Sequence, residues 1–188
     1  MNSYGKAAWR ACCALLFAFS FNASADDAKK IEVTDETFKC LTEMTPVRGF
    51  FVANLLGKLE DTLKAANSPS GGRYPPGTVI QLVPTEVMVK HREGFSPATN
   101  DWEFFELEVS PSASKIKVRG VTEVVNRFGG NCFGCHAAAK PHWDYICEKD
   151  HGCAPLPIST ERIVGIQKAD PRCKAQASAA NVRAAGTN

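Results

Sequence analysis

The 188-residue chain is 44% hydrophobic and 22% charged, the balance of an ordinary globular protein, and its length suits one domain with a single core. Its 22 lysines and arginines against 20 acidic residues leave a formal charge of +2. No block of like charge stands out, which argues against nucleic acid as a partner.

At the N-terminus, Lys6 and Arg10 precede the apolar run ACCALLFAFSF, and small residues follow at Ala23 and Ala25. The run is shorter than the roughly 20 residues a bilayer span needs. Residues 1–25 therefore read as a secretory signal peptide cleaved after Ala25, with no stable membrane insertion afterwards. Cleavage removes Lys6, Arg10, Cys12 and Cys13, so the mature chain is formally neutral. The expected product is periplasmic or otherwise exported.

After the signal, VTDETFKCLTEM reads as a short helix capped by Thr34 or Asp35. A longer helix is expected from Pro46, with Val47, Phe50, Phe51, Leu55, Leu59 and Leu63 at near-helical spacing as a core-facing stripe. Gly49 and Gly57 each weaken that helix by about 1 kcal/mol. The segment NSPSGGRYPPG ends it. Strand character follows in TVIQLV, EVMVKH, DWEFFELEVS, KIKVRG and VTEVVN, with Phe105, Leu107 and Val109 sharing one face. Turn-rich segments between these runs favour antiparallel hairpins. The expected fold is α+β: N-terminal helices packed on a small antiparallel sheet, a cysteine motif after the last strand, and an irregular C-terminal extension held by disulfides. The mature domain is read as 26–173, with the extension beginning at about 141 and a disordered tail over 174–188.

Six cysteines remain in the mature chain: Cys40, Cys132, Cys135, Cys147, Cys153 and Cys173. In an oxidising compartment most are expected to pair. Cys132, Cys135 and His136 form C-x-x-C-H, the attachment signature of a c-type haem. Two thiols one helical turn apart add across the vinyl groups of one porphyrin, and the adjacent imidazole reaches the iron. One covalent haem c then leaves Cys40, Cys147, Cys153 and Cys173 as disulfide candidates. Either CEKDHGC closes on itself, or Cys40 and Cys173 are each stapled to that loop. Two other chemistries compete. A zinc site would draw on Cys147, His151 and Cys153 as further ligands. A dithiol redox pair would need a strand–helix alternation that this chain lacks.

The order YPPGTVIQLV, TEVMVKHREGFSPATNDWEFFELEV, NCFGCH resembles the cytochrome P-460 family, including the cytochromes c′-beta, over about residues 46–140. The resemblance implies a five-coordinate haem with His136 on one side and a pocket on the other, where nitric oxide binds or hydroxylamine is oxidised. It also implies a possible homodimer and places a pocket carboxylate at Glu86. Oxidising members carry a porphyrin-linked lysine on the strand after the Pro-Gly turn. Here that strand is TVIQLV and has none, Lys90 being the nearest, which argues against oxidase activity. His91 is expected at the surface in a charged turn, and His142 and His151 lie in the extension. Met88 and His91 are weighed as distal ligands, and Trp102, Phe104, Phe105 and Phe133 as pocket lining and core. The function expected is an exported monohaem cytochrome binding or redox-processing a small ligand at an open distal site, with an unidentified redox partner. The alternatives are a six-coordinate electron-transfer cytochrome and, more remotely, a zinc- or disulfide-stabilised binding module.

Overall fold

The computed structural model describes residues 31–173. The signal peptide expected at 1–25 and the tail expected at 174–188 lie outside the described residues. Six strands form one antiparallel sheet in chain order: β1 (Thr45–Val47), β2 (Phe50–Asn54), β3 (Thr78–Val83), β4 (Glu86–Lys90), β5 (Trp102–Val109) and β6 (Ser114–Gly120). Each strand pairs with its sequence neighbour, so the sheet is a meander.

The period-2 alternation of β4 and β5 sorts their side chains between two cores. Met88, Trp102 and Phe104 join Val47, Phe50, Val52 and Ile80 on one face, which Val124, Phe133, Tyr145 and Ile146 cover. Val87, Val89, Phe105 and Leu107 join Val79 on the other, covered by Ile31, Val33 and Phe38. Phe38 and Phe105 meet with ring centroids 5.2 Å apart. Because both faces of β4 and β5 are covered, each strand is apolar at most positions.

The expected N-terminal helices packed on a small sheet are not built. Residues 35–37 and 41–43 form only short 3-10 turns. The stripe from Val47 to Leu63 divides into the β1–β2 hairpin and α1 (Leu59–Ala66). Arg48, in the left-handed region at φ 50°, and Gly49 reverse the chain between Val47 and its partner Phe50. Phe51 and Val52 then pair with Gln81 and Ile80 of β3, where aromatic and β-branched side chains gain more by cross-strand packing than in an isolated helix. Pro46 is tolerated because β1 is an edge strand. Asn54 ends β2 by accepting from the backbone of Leu56 and Lys58 at 2.9 and 3.1 Å.

The expected strand VTEVVN is also not formed; only Val125 makes an isolated bridge, to Asn131. Beyond it lie α2 (Cys132–His136), a 3-10 turn at Pro141–Trp143 and α3 (Thr160–Lys168). α3 was expected to be irregular chain. Ser159 caps it, and Gln167 fastens it by donating to the carbonyls of Gly49 and Leu82, each at 2.8 Å. Two disulfides close the fold: Cys40–Cys173 ties the first described turns to the last, and Cys147–Cys153 closes the CEKDHGC loop on itself. No described helix is long and apolar enough to cross a membrane.

Candidate haem-attachment site

A ladder of local bonds holds α2. Asn126 Oδ1 accepts from the backbone of Phe128 and Gly130 at 3.0 and 2.9 Å, with Gly129 in the left-handed region at φ 82°. Asn131 caps α2 through Gly134 N at 2.6 Å, while its amide donates to Thr122 O at 2.9 Å. Cys132 N donates to Val124 O at 3.0 Å. The single helical turn of C-x-x-C-H is thus fastened to the buried Val124 of the β6–α2 connection. Cys132 is half-buried, Cys135 is exposed, and both thiols are free, whereas the other four described cysteines are paired.

His136 follows directly. Its Nδ1 lies 2.7 Å from Tyr145 O. A carbonyl can only accept, so the proton sits on Nδ1 and Nε2 keeps its lone pair for a metal. Burial lowers the imidazole pKa, opposed by the Tyr145 bond, so the neutral form that ligates metals is favoured. Phe104 lies 5.4 Å from the His136 ring, Phe133 lies 6.4 Å from Phe104, and Tyr145 lies 5.7 Å from Phe133.

Glu86 opens β4 opposite Glu106 of β5. Glu106, missed in the sequence, shares its face of β5 with Trp102 and Phe104 and is 2% exposed. Its Oε1 accepts from Arg127 Nε at 2.7 Å, and its Oε2 is buried with no hydrogen-bond partner. Glu86 Oε1 accepts from Asn126 at 3.2 Å. Burial first, and the Glu106 charge second, raise the Glu86 pKa against Arg127 and Asn126. Burial, reinforced by both carboxylates, pushes the Cys132 thiol up to about 11. Cys132 is therefore a protonated thiol at neutral pH. That weighs against a redox dithiol, which needs a thiolate.

The residues that a zinc site would have drawn on are otherwise engaged. Cys147 and Cys153 are disulfide-bonded. His151 stacks on Trp143 at 3.7 Å and meets Ile146 O at 2.7 Å through Nδ1. Cys40, Cys173 and Asp170 also converge, but the sulfurs are joined and Asp170 accepts from Leu41 N and from Arg172.

The weighed distal ligands are also in use. Met88 is buried in the core that contains Phe104. His91, expected at the surface, is buried: its Nε2 lies 2.7 Å from Glu103 and its ring stacks on Phe95 at 3.9 Å. The β4–β5 pairing turns Lys90 and His91 of KHRE inward and leaves Glu93 exposed, which charge content alone does not reveal. His142 is exposed beside Trp143. Lys90 is buried in an ion pair with Asp144 at 2.8 Å.

The residues fit a covalent haem. Two free thiols stand a helical turn apart, and a neutral imidazole has its Nδ1 engaged and its Nε2 available. Just upstream in sequence, the large apolar side chains Val125 and Phe128 are 48% and 77% exposed. Comparison with protein-family models, with curated proteins and with solved structures returns no match.

Proposed function

We propose that the chain is an exported c-type cytochrome carrying one haem on Cys132 and Cys135, with His136 as the iron's protein ligand and the opposite face serving a small ligand of the nitric oxide or hydroxylamine class. One observation carries this reading: the only free thiols among the described residues flank one helical turn, directly before a histidine that donates from Nδ1 and keeps Nε2 available. When bound, the haem supplies a redox-active iron with a coordination position that protein need not fill.

The chain's own residues have definable tasks. Cys132 and Cys135 anchor, and the Tyr145 carbonyl fixes the tautomer of His136. Phe104 and Phe133 form a dry wall beside the imidazole. Glu86 can hold a proton, since burial favours its protonated acid. Ligand binding is favoured over six-coordinate electron transfer because Met88, His91 and His151 are each committed to the core, to Glu103 or to Trp143. Kinship with the cytochrome P-460 family belongs to the same proposal, on the ligand-binding side. Lys90, the nearest candidate for a porphyrin link, has its Nζ bonded to Asp144 and to Asn100 O. Export agrees with two disulfides in the chain.

The test is an absorption spectrum of the purified protein, ferric and ferrous, with and without nitric oxide. A high-spin ferrous spectrum that changes with the gas supports an open iron. A low-spin spectrum indifferent to it makes electron transfer the better reading.

A further inference from the structure

The hydrogen bond that orients His136 comes from a segment with an unusual backbone. Asp144 and Tyr145 are consecutive non-glycine residues in the left-handed region, at φ 50° and 66°. Such a conformation persists only where the surroundings over-determine it. Here the surroundings converge on Asp144. Its carboxylate accepts from Lys90 Nζ through both oxygens at 2.8 Å, from Tyr74 N at 2.8 Å and from the Asn100 amide. Its carbonyl accepts from Trp102 Nε1 at 2.8 Å. Lys90 Nζ also donates to Asn100 O at 2.6 Å and lies 4.9 Å from the Trp102 ring centroid. Lys90 and Trp102 are Cα partners on β4 and β5, so the knot is seated on the sheet itself. The next residue, Tyr145, delivers its carbonyl to His136 Nδ1.

We propose that Asp144, held by Lys90, is the positioning residue for His136: it fixes the Tyr145 carbonyl that receives the Nδ1 proton. This rests on the haem reading above. An imidazole donating a short Nδ1–H bond is locked in one tautomer and one ring orientation and is a more basic ligand through Nε2. Loosening the carbonyl weakens that donation to the iron and stabilises the ferrous state relative to the ferric.

The experiment compares haem-loaded wild type with Asp144→Asn and Lys90→Gln, reading the ferrous iron–histidine stretching frequency by resonance Raman and the midpoint potential. Both variants should lower the frequency and raise the potential. His91→Gln is the control. It disrupts the buried His91–Glu103 contact, whose side chains bond to neither Asp144 nor Tyr145, and should lower stability while leaving both readouts unchanged. Unchanged frequency and potential in a haem-bearing Asp144→Asn or Lys90→Gln protein, or an equal shift in the control, overturns the proposal. If wild type carries no covalent haem, the functional reading fails, and nitrogen-15 shifts of His136 in the haem-free protein still decide this inference. Wild type should then show the Nδ1–H tautomer and the two variants a mixture; identical tautomer populations would overturn it.

Discussion

Replacing Lys90 with methionine is the sharpest test of the knot beneath His136. The side chains of Lys90 and Asp144 are 1% and 2% exposed, so the pair is screened by neither water nor salt. Methionine fills much of the lysine stem's volume, and the main effect is a buried carboxylate without its counter-charge. Removing one partner of such a pair costs about 3–5 kcal/mol. The Tyr74 amide N–H and Asn100 still solvate Asp144, which pulls the figure down. The lost bond to Asn100 O and the lost contact over Trp102 push it up. We expect a loss of about 3–4 kcal/mol, read as a lower urea midpoint at unchanged slope. Adding Asp144→Asn to Lys90→Met should recover part of the loss, because a neutral amide needs no counter-charge. A loss below about 1 kcal/mol, the range of an exposed pair, would refute the reasoning, as would a double variant no more stable than the single one.

Glu86 provides a pH test. Its folded pKa is raised above the ordinary 4.5, so between these two values the native state holds more protons than the unfolded chain. Its contribution therefore favours the fold at low pH and is lost as pH rises from about 4.5 through the raised value. Glu86→Gln should flatten that decline and stabilise the protein at neutral pH; parallel stability–pH curves for variant and wild type would contradict it. Glu103 and Asp170, whose pKa values are lowered, act in the opposite sense and below that window. The two disulfides should be unequal in thermal or urea unfolding. Loss of Cys40–Cys173, with a sequence separation of 133, should cost about 5 kcal/mol on loop-entropy grounds. Loss of Cys147–Cys153, with a separation of 6, should cost only about 2 kcal/mol. Equal losses would show that the long loop retains structure when unfolded. Trp102→Ala, at a fully buried position whose indole donates to Asp144 O, should cost about 3–5 kcal/mol and lower the urea midpoint to match; a loss under 1 kcal/mol would mean the site collapses around the deletion.

The parts of this fold legible in the sequence are those where local pattern and tertiary context agree. TVIQLV and DWEFFELEVS are strand-like by composition and by period, and β3 and β5 lie where they were read. The β1–β2 hairpin misled because Val47, Phe50 and Phe51, followed by Leu55, Leu59 and Leu63, mimic a helical stripe. Only the turn at Arg48–Gly49 and the pairing with β3 decide otherwise, and the pairing is not local. VTEVVN has strand composition, yet its one pairing is the isolated Val125–Asn131 bridge. α3 was hidden by Gly165 and by a stripe, Ile163 and Ile166, too short to show its period.

The attachment site divides in the same way. Cys132, Cys135 and His136 are contiguous in sequence, so their spacing alone carries the chemistry. Glu106 becomes visible only when the register sets it opposite Glu86. The service of Asp144 and Tyr145 to His136 depends on a left-handed backbone that no residue type there announces. Glutamates set among large apolar residues in EFFELE are the one available hint of a buried acid.

The most direct measurement is the mass and alkaline-pyridine spectrum of the protein produced by export alongside a working haem-attachment system. The account predicts the mass of the mature chain plus one haem, a c-type spectrum, and loss of both in the Cys132→Ala/Cys135→Ala variant with export intact. A wild-type protein with no covalent haem and two titratable thiols at Cys132 and Cys135 would contradict it.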